Sequence, residues 1–166
     1  MRRTLIGLTA AFVTFLLGIT SVGIWSAHHD LKNPKTNSLI SHSIEEDNIA
    51  ETVFRYQMPK DSQLKVYFLS RNDNDPDGQF MRRFEGQLPL VKKKSQSSHN
   101  RYGSILDKET GEYAAILSVG QIEWINDSEV KVSGSIFTGE VAGYIYQVIR
   151  EGNRWIVKSS ECVLES

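Results

Sequence analysis

The chain predicts an α+β domain in which one long helix packs on a curved antiparallel sheet, set behind a hydrophobic N-terminal helix. Three observations predict it. An uncharged run opens the chain from Leu5 to Ala27, one helical apolar stripe lies between Ser43 and Pro59, and beyond Gly86 come short β-rich runs separated by turn residues.

Composition supports a single globular core. The 166 residues are 40% hydrophobic and 23% charged, with a formal net charge of -1. Setting aside Arg2 and Arg3 leaves 17 basic against 20 acidic residues, a balance unlike that of nucleic-acid binders, and no nucleic-acid partner is expected. The only cysteine, Cys162, can form no disulfide within the chain and completes no cysteine motif of common metal spacing.

The first element is "LIGLTAAFVTFLLGITSVGIWSA", residues 5–27. As a helix it would be roughly 34 Å long, enough to cross a hydrocarbon core of ~30 Å. Arg2 and Arg3 before it and Asp30 after it predict a cytoplasmic N-terminus and a domain outside, although Lys32 and Lys35 dilute the asymmetry. We read residues 1–27 as an uncleaved signal-anchor, with Trp25 at the membrane interface. The alternative is cleavage, for which Ser21 and Gly23 are suitably small, and which would release a secreted domain. Residues 28–42, polar and containing Pro34, read as a tether. His28 and His29 are two ligands at most and define no metal site.

Residues 43–166 then form the extracytoplasmic domain. Ser43 and Glu46 fit a capping box, Ile49, Val53 and Tyr56 mark the buried stripe, and Pro59 stops the helix. "LKVYFLS" from Leu64 follows as a strand, and "DGQFMRRFEG" allows a short helix near residues 78–85 that buries Phe80, Met81 and Phe84. The remaining runs, "LPLVKKKS", "RYGSILD", "EYAAILSVGQIEWI", "EVKVSGSIF", "GYIYQVIR" and "RWIVKSSECVLE", predict a β-meander of about five strands. Lys108–Gly111, Asn126–Ser128 and Glu151–Asn153 supply its turns.

On the segments "VYFLSRNDNDPDGQFMRRFEGQLPLVKKKSQ" and "DKETGEYAAILSVGQIEWINDSEVKVSGSIFTGEVAGYIYQVIREGNRWIV", most of residues 43–164 resembles an uncharacterised group of secreted or membrane-anchored bacterial α+β domains. A helix followed by a meander is also similar to cystatin-like and nuclear-transport-factor-like architectures. The closer group has no assigned activity, so the resemblance implies a location and a fold and lends no catalytic residues.

Three constellations could carry chemistry. Asp73, Asp75 and Asp77 with Gly78 and Phe80 match the opening of a calcium loop, but Phe84 stands where a bidentate glutamate should close it and Pro76 stiffens its middle. Turn and helix-cap chemistry is the better reading, with weak cation binding as the alternative. Lys92, Lys93 and Lys94, together with Arg82 and Arg83, could meet anionic lipid, or simply protect a strand edge.

Tyr67, Tyr113, Trp124 and Tyr146 could line a pocket between helix and sheet, with Glu112 or Glu123 as a general base, although aromatics at alternating strand positions are more often core. No Gly-x-Ser-x-Gly elbow or glycine-rich phosphate loop is present. The Gly134, Gly139 and Gly143 spacing reads as bends, and His99 lies in a polar loop. No cofactor is indicated. The expected function is non-enzymatic binding of an envelope protein or small ligand. A pocket enzyme and a weakly calcium-binding surface domain are the alternatives.

Overall fold

A computed structural model of the chain describes residues 34–58 and 63–165, with side-chain surroundings from Ser43 onward. The predicted membrane span at 5–27, residues 28–33 of the expected tether, and Pro59 lie outside the described residues. No helix among the described residues is long and apolar enough to cross a membrane. The chain divides into two compact units at Leu39 and Ile40, and of the first only the helical residues 34–39 are described.

Helix α1 runs Pro34–Gln57, so it opens upstream of the expected start at Ser43 and takes in part of the expected tether. Proline suits a first turn, where its missing N–H has no helical partner to lose, and no glycine or proline interrupts residues 35–58. Ser43 and Glu46 therefore lie inside the helix and form no capping box. The buried face of α1 is Ile49, Ala50, Val53, Phe54 and Gln57, while Tyr56, expected on that stripe, stays exposed at 52%.

The main sheet has six strands in the order β2-β1-β5-β6-β7-β8. Strand β1 (Val66–Arg71) pairs in parallel with β2 (Leu90–Lys93) and with β5 (Ala114–Asn126). Strands β5, β6 (Glu129–Phe137), β7 (Val141–Glu151) and β8 (Arg154–Glu165) pair antiparallel.

The expected antiparallel sheet is thus a mixed one, a four-strand meander extended by two parallel strands. The cause is the length of the connections, since a short turn reverses the chain whereas a long crossover can return it in the same direction. Between β1 and β2 lie helix α2 (Gly78–Met81) and a 3-10 turn at Arg82–Phe84. Between β2 and β5 lie a 3-10 turn at Lys94–Gln96 and a hairpin of β3 (Ser97–His99) and β4 (Ile105–Asp107).

Strand β1 is covered on both faces. Tyr67 and Leu69 join Ala115, Leu117 and Val119 beneath α1, while Val66 and Phe68 pack with Ile105, Ala114 and Ile116 on the opposite face. Double coverage explains the unbroken apolar "VYFL". In β5 the register against β6 shifts between Val119 and Ile122, and this bulge exchanges the faces. Before it, odd-numbered residues point at α1; after it, Ile122 and Trp124 do. Phe54 ties α2 and the 3-10 turn after it to α1 through edge contacts with Phe80 at 5.9 Å and Phe84 at 6.3 Å. Burying such a ring contributes about 2 kcal/mol.

Candidate functional site

The acidic loop begins with a tight reversal. Arg71 and Asn74 exchange backbone hydrogen bonds of 2.8 and 3.0 Å around Asn72 and Asp73, whose φ values of 48° and 63° are left-handed. Asn and Asp tolerate that region better than other side chains. The three carboxylates then diverge. Asp73 is 97% exposed, 3.9 Å from the Lys94 ammonium. Asp75 accepts from the Ser95 N–H at 2.9 Å, and Asp77 caps α2 by accepting from the Phe80 N–H at 2.8 Å. Hydrogen bonds from Ser95 hold the Asp75 carboxyl below its usual range, and the Phe80 N–H does the same for Asp77. A calcium cage needs such oxygens to converge, and among the described residues no three His, Cys, Asp or Glu side chains gather for a metal.

The aromatic residues considered for a pocket separate into two groups. Tyr67 and Tyr146 are buried under α1, and Trp124 packs against the same core, edge-on to Trp155 at 5.7 Å. Tyr113 is 64% exposed ahead of β5, and Glu123 lies on the exposed side of that strand, in register with Lys131 of β6. The bulge after Val119 gives the α1 side to Ile122 and Trp124, which turns Glu123 away. Glu112 bonds the Lys65 ammonium at 2.7 Å.

Under α1 the polar contact is uncharged. Gln57 Nε2 donates to the Tyr146 hydroxyl and to the Ser118 carbonyl, both at 3.1 Å. Burial pushes the Tyr146 phenol up to about 12. Gly134 makes room for this contact, since a Cβ there would lie 2.6 Å from the Ser118 carbonyl oxygen and 2.9 Å from Gln57 Nε2.

Other candidate bases and cations are engaged in ion pairs. On α1, Asp47 pairs with Arg71, and Glu51 pairs with Arg83 at 2.9 Å and Arg55 at 2.8 Å. Glu45 accepts from Trp155 Nε1 at 2.6 Å. Lys92 reaches Asp107 and Glu109, each at 2.8 Å. The Asp107 residue is only 2% exposed. Burial raises its carboxyl pKa, but hydrogen bonds from Lys92 and Thr110 outweigh that and leave it lowered. His99 is exposed, with its ring against Phe137 at 5.7 Å.

A different surface stands out at the N-terminal ends of β1 and β2. A depression of about 430 Å³ is lined by Leu64, Lys65, Leu88, Pro89, Leu90 and Glu112. Another, of about 390 Å³, shares Leu64, Lys65 and Glu112 with it and is bordered by Gln63 and Tyr113. Leu88 is 85% exposed and Leu90 49%. Sequence reasoning assigned "LPLV" to a strand without marking it as a surface. Its usable signal was the proline, which confines such a strand to a sheet edge.

A third depression, of about 440 Å³, is polar and runs along the β5 bulge past Ser118, Gly120, Ser133 and Ser135 to Asn72 and Asp73. No family model, curated protein or solved structure matches the chain.

Proposed function

We propose that the chain is a non-enzymatic binding domain held at the cell envelope by its N-terminal hydrophobic helix, with the apolar shelf around Leu88, Leu90 and Tyr113 as its contact surface for a protein. The observation that carries this reading is the exposure of these three large side chains around two adjoining depressions. Clustered exposed apolar side chains of this kind mark contact surfaces more often than chance. The buried polar residues among the described residues are Gln57, Ser70 and Asp107, a set that supports a binding reading over a pocket enzyme built on a carboxylate beneath α1. The resemblance of residues 43–164 to secreted and anchored bacterial domains supports the same location.

A photo-crosslinking side chain placed at Leu88 or at Tyr113, in the full chain within its own membrane, tests the shelf. One discrete protein adduct from both positions, absent from the same probe at Lys131, is the expected result. No adduct, or an equal one from Lys131, overturns the reading. A reporter fused after Ser166 should be active only outside the cytoplasm, and activity inside overturns the orientation.

A further inference from the structure

The face of the sheet turned away from α1 is laid out in rows by the strand register. Phe68, Ile116 and Phe137 stand side by side across β1, β5 and β6, and Ile105 of β4 packs with that apolar row. One pleat further on, the same three strands carry Ser70, Ser118 and Ser135 in register. Three hydroxyls thus stand where strands favour branched or aromatic side chains.

The row opens into the polar depression of about 440 Å³ along the β5 bulge. Ser118 and Ser135 line it, and the bulge adds Ser133, whose Oγ accepts from the Gln121 N–H at 2.9 Å and keeps its own proton to donate. Asn72 and Asp73, in their left-handed turn, border it. Beside Ser118 at the covered end of the row, the Ser70 hydroxyl is fully buried and has no hydrogen-bond partner among the described residues. A buried hydroxyl left unpaired lowers stability, which marks this row as kept for something other than packing.

The lining selects the ligand. Among the described residues no Lys, Arg or His lines the depression, while Asp73 brings a negative charge, so anions are disfavoured. Lys94 stands 3.9 Å from that carboxylate without lining the groove. Val119 is the one large apolar residue there, and its side chain belongs to the core beneath α1, so an aliphatic ligand finds nothing to pack on. An uncharged ligand dense in hydroxyls answers these hydroxyl and amide groups donor for acceptor. We propose that the groove binds a neutral saccharide through Ser118, Ser133 and Ser135, with Asn72 and Gln121 at its rim. Its volume lies within the ~300–1,000 Å³ of small-ligand sites.

Saturation-transfer NMR of the full chain in a zwitterionic, sugar-free detergent tests the proposal, with glucose, galactose, mannose and N-acetylglucosamine as probes and glucuronate as the charged comparison. At least one neutral sugar should bind, and glucuronate should bind more weakly than the best of the four. Ser118→Ala and Ser135→Ala remove only a hydroxyl oxygen, and each should weaken that sugar about fivefold or more while circular dichroism stays unchanged. Leu88→Ser, on the apolar shelf, should leave sugar binding as it was, so the two surfaces are tested apart. No binding by any neutral sugar, binding indifferent to both serine variants, or glucuronate binding as tightly as the best neutral sugar overturns the proposal.

Discussion

The Gln57 side-chain amide donates to the Tyr146 hydroxyl at 3.1 Å across the layer between α1 and the sheet, and the same nitrogen donates to the Ser118 carbonyl. One neutral group thus fastens the last turn of α1 to two strands. Gln57→Leu should destabilise the domain by about 2 kcal/mol, because it leaves two buried groups without a donor. Tyr146→Phe should cost about 1 kcal/mol. The double variant should lose less than the sum of the two, since both remove one shared contact, and urea melts of the set check it.

Alkaline titration reads the same pair. The folded phenol of Tyr146 is raised from 10.0 to about 12, so the unfolded chain gives up this proton more readily. Its contribution to stability is complete below about 10 and is lost as pH rises toward about 12. Absorbance near the phenolate band should show one tyrosine titrating late, and Tyr146→Phe should remove that step.

Acid acts at the other side of the sheet. The Asp107 carboxyl is lowered in the folded chain, so its contribution is present above the ordinary carboxylate range and fades as pH falls through its folded value. Lys92→Ala should cost about 2 kcal/mol at neutral pH by removing the countercharge of a buried carboxylate that keeps only its hydrogen bonds from Thr110 and the Glu109 N–H. Replacing both partners, as Lys92→Met with Asp107→Leu, should recover much of that loss. Thermal melts from pH 7 to pH 3 of the three proteins check both statements.

The acidic loop should act through its cap. Asp77→Ala should lower the melting temperature by removing the acceptor for the Phe80 N–H, whereas Asp77→Asn should largely keep it. Millimolar calcium should leave the wild-type melting temperature unchanged. A clear rise abolished by Asp73→Ala or Asp75→Ala would restore the metal reading.

Much of the architecture is legible from side-chain periods. The α1 stripe, the short helix after Asp77 and the strands of the meander follow from spacing and turn residues. Strand direction does not, because the period-2 pattern of β1 is the same whether its neighbours run parallel or antiparallel. The unbroken "VYFL" was the one available cue, since alternation disappears where both faces are covered. The facing of Glu123 was hidden for a related reason. Counting by twos through "SVGQIEW" misses the bulge after Val119, and with it the turning away of Glu123. The start of α1 was hidden because Lys35–His42 is polar and shows no apolar stripe to announce a helix.

Glu45 of α1 accepts from Trp155 of β8, 110 residues later in the chain. On a chain made from its N-terminus, the helix leaves the ribosome long before the strand it clasps. Its contacts with β8 form only when nearly the whole domain has followed. Chains stopped before Arg154 are therefore expected to leave the Glu45 part of α1 unclasped and more open to protease than the Gln57 end, and completion of the last hairpin becomes the step that closes the protein.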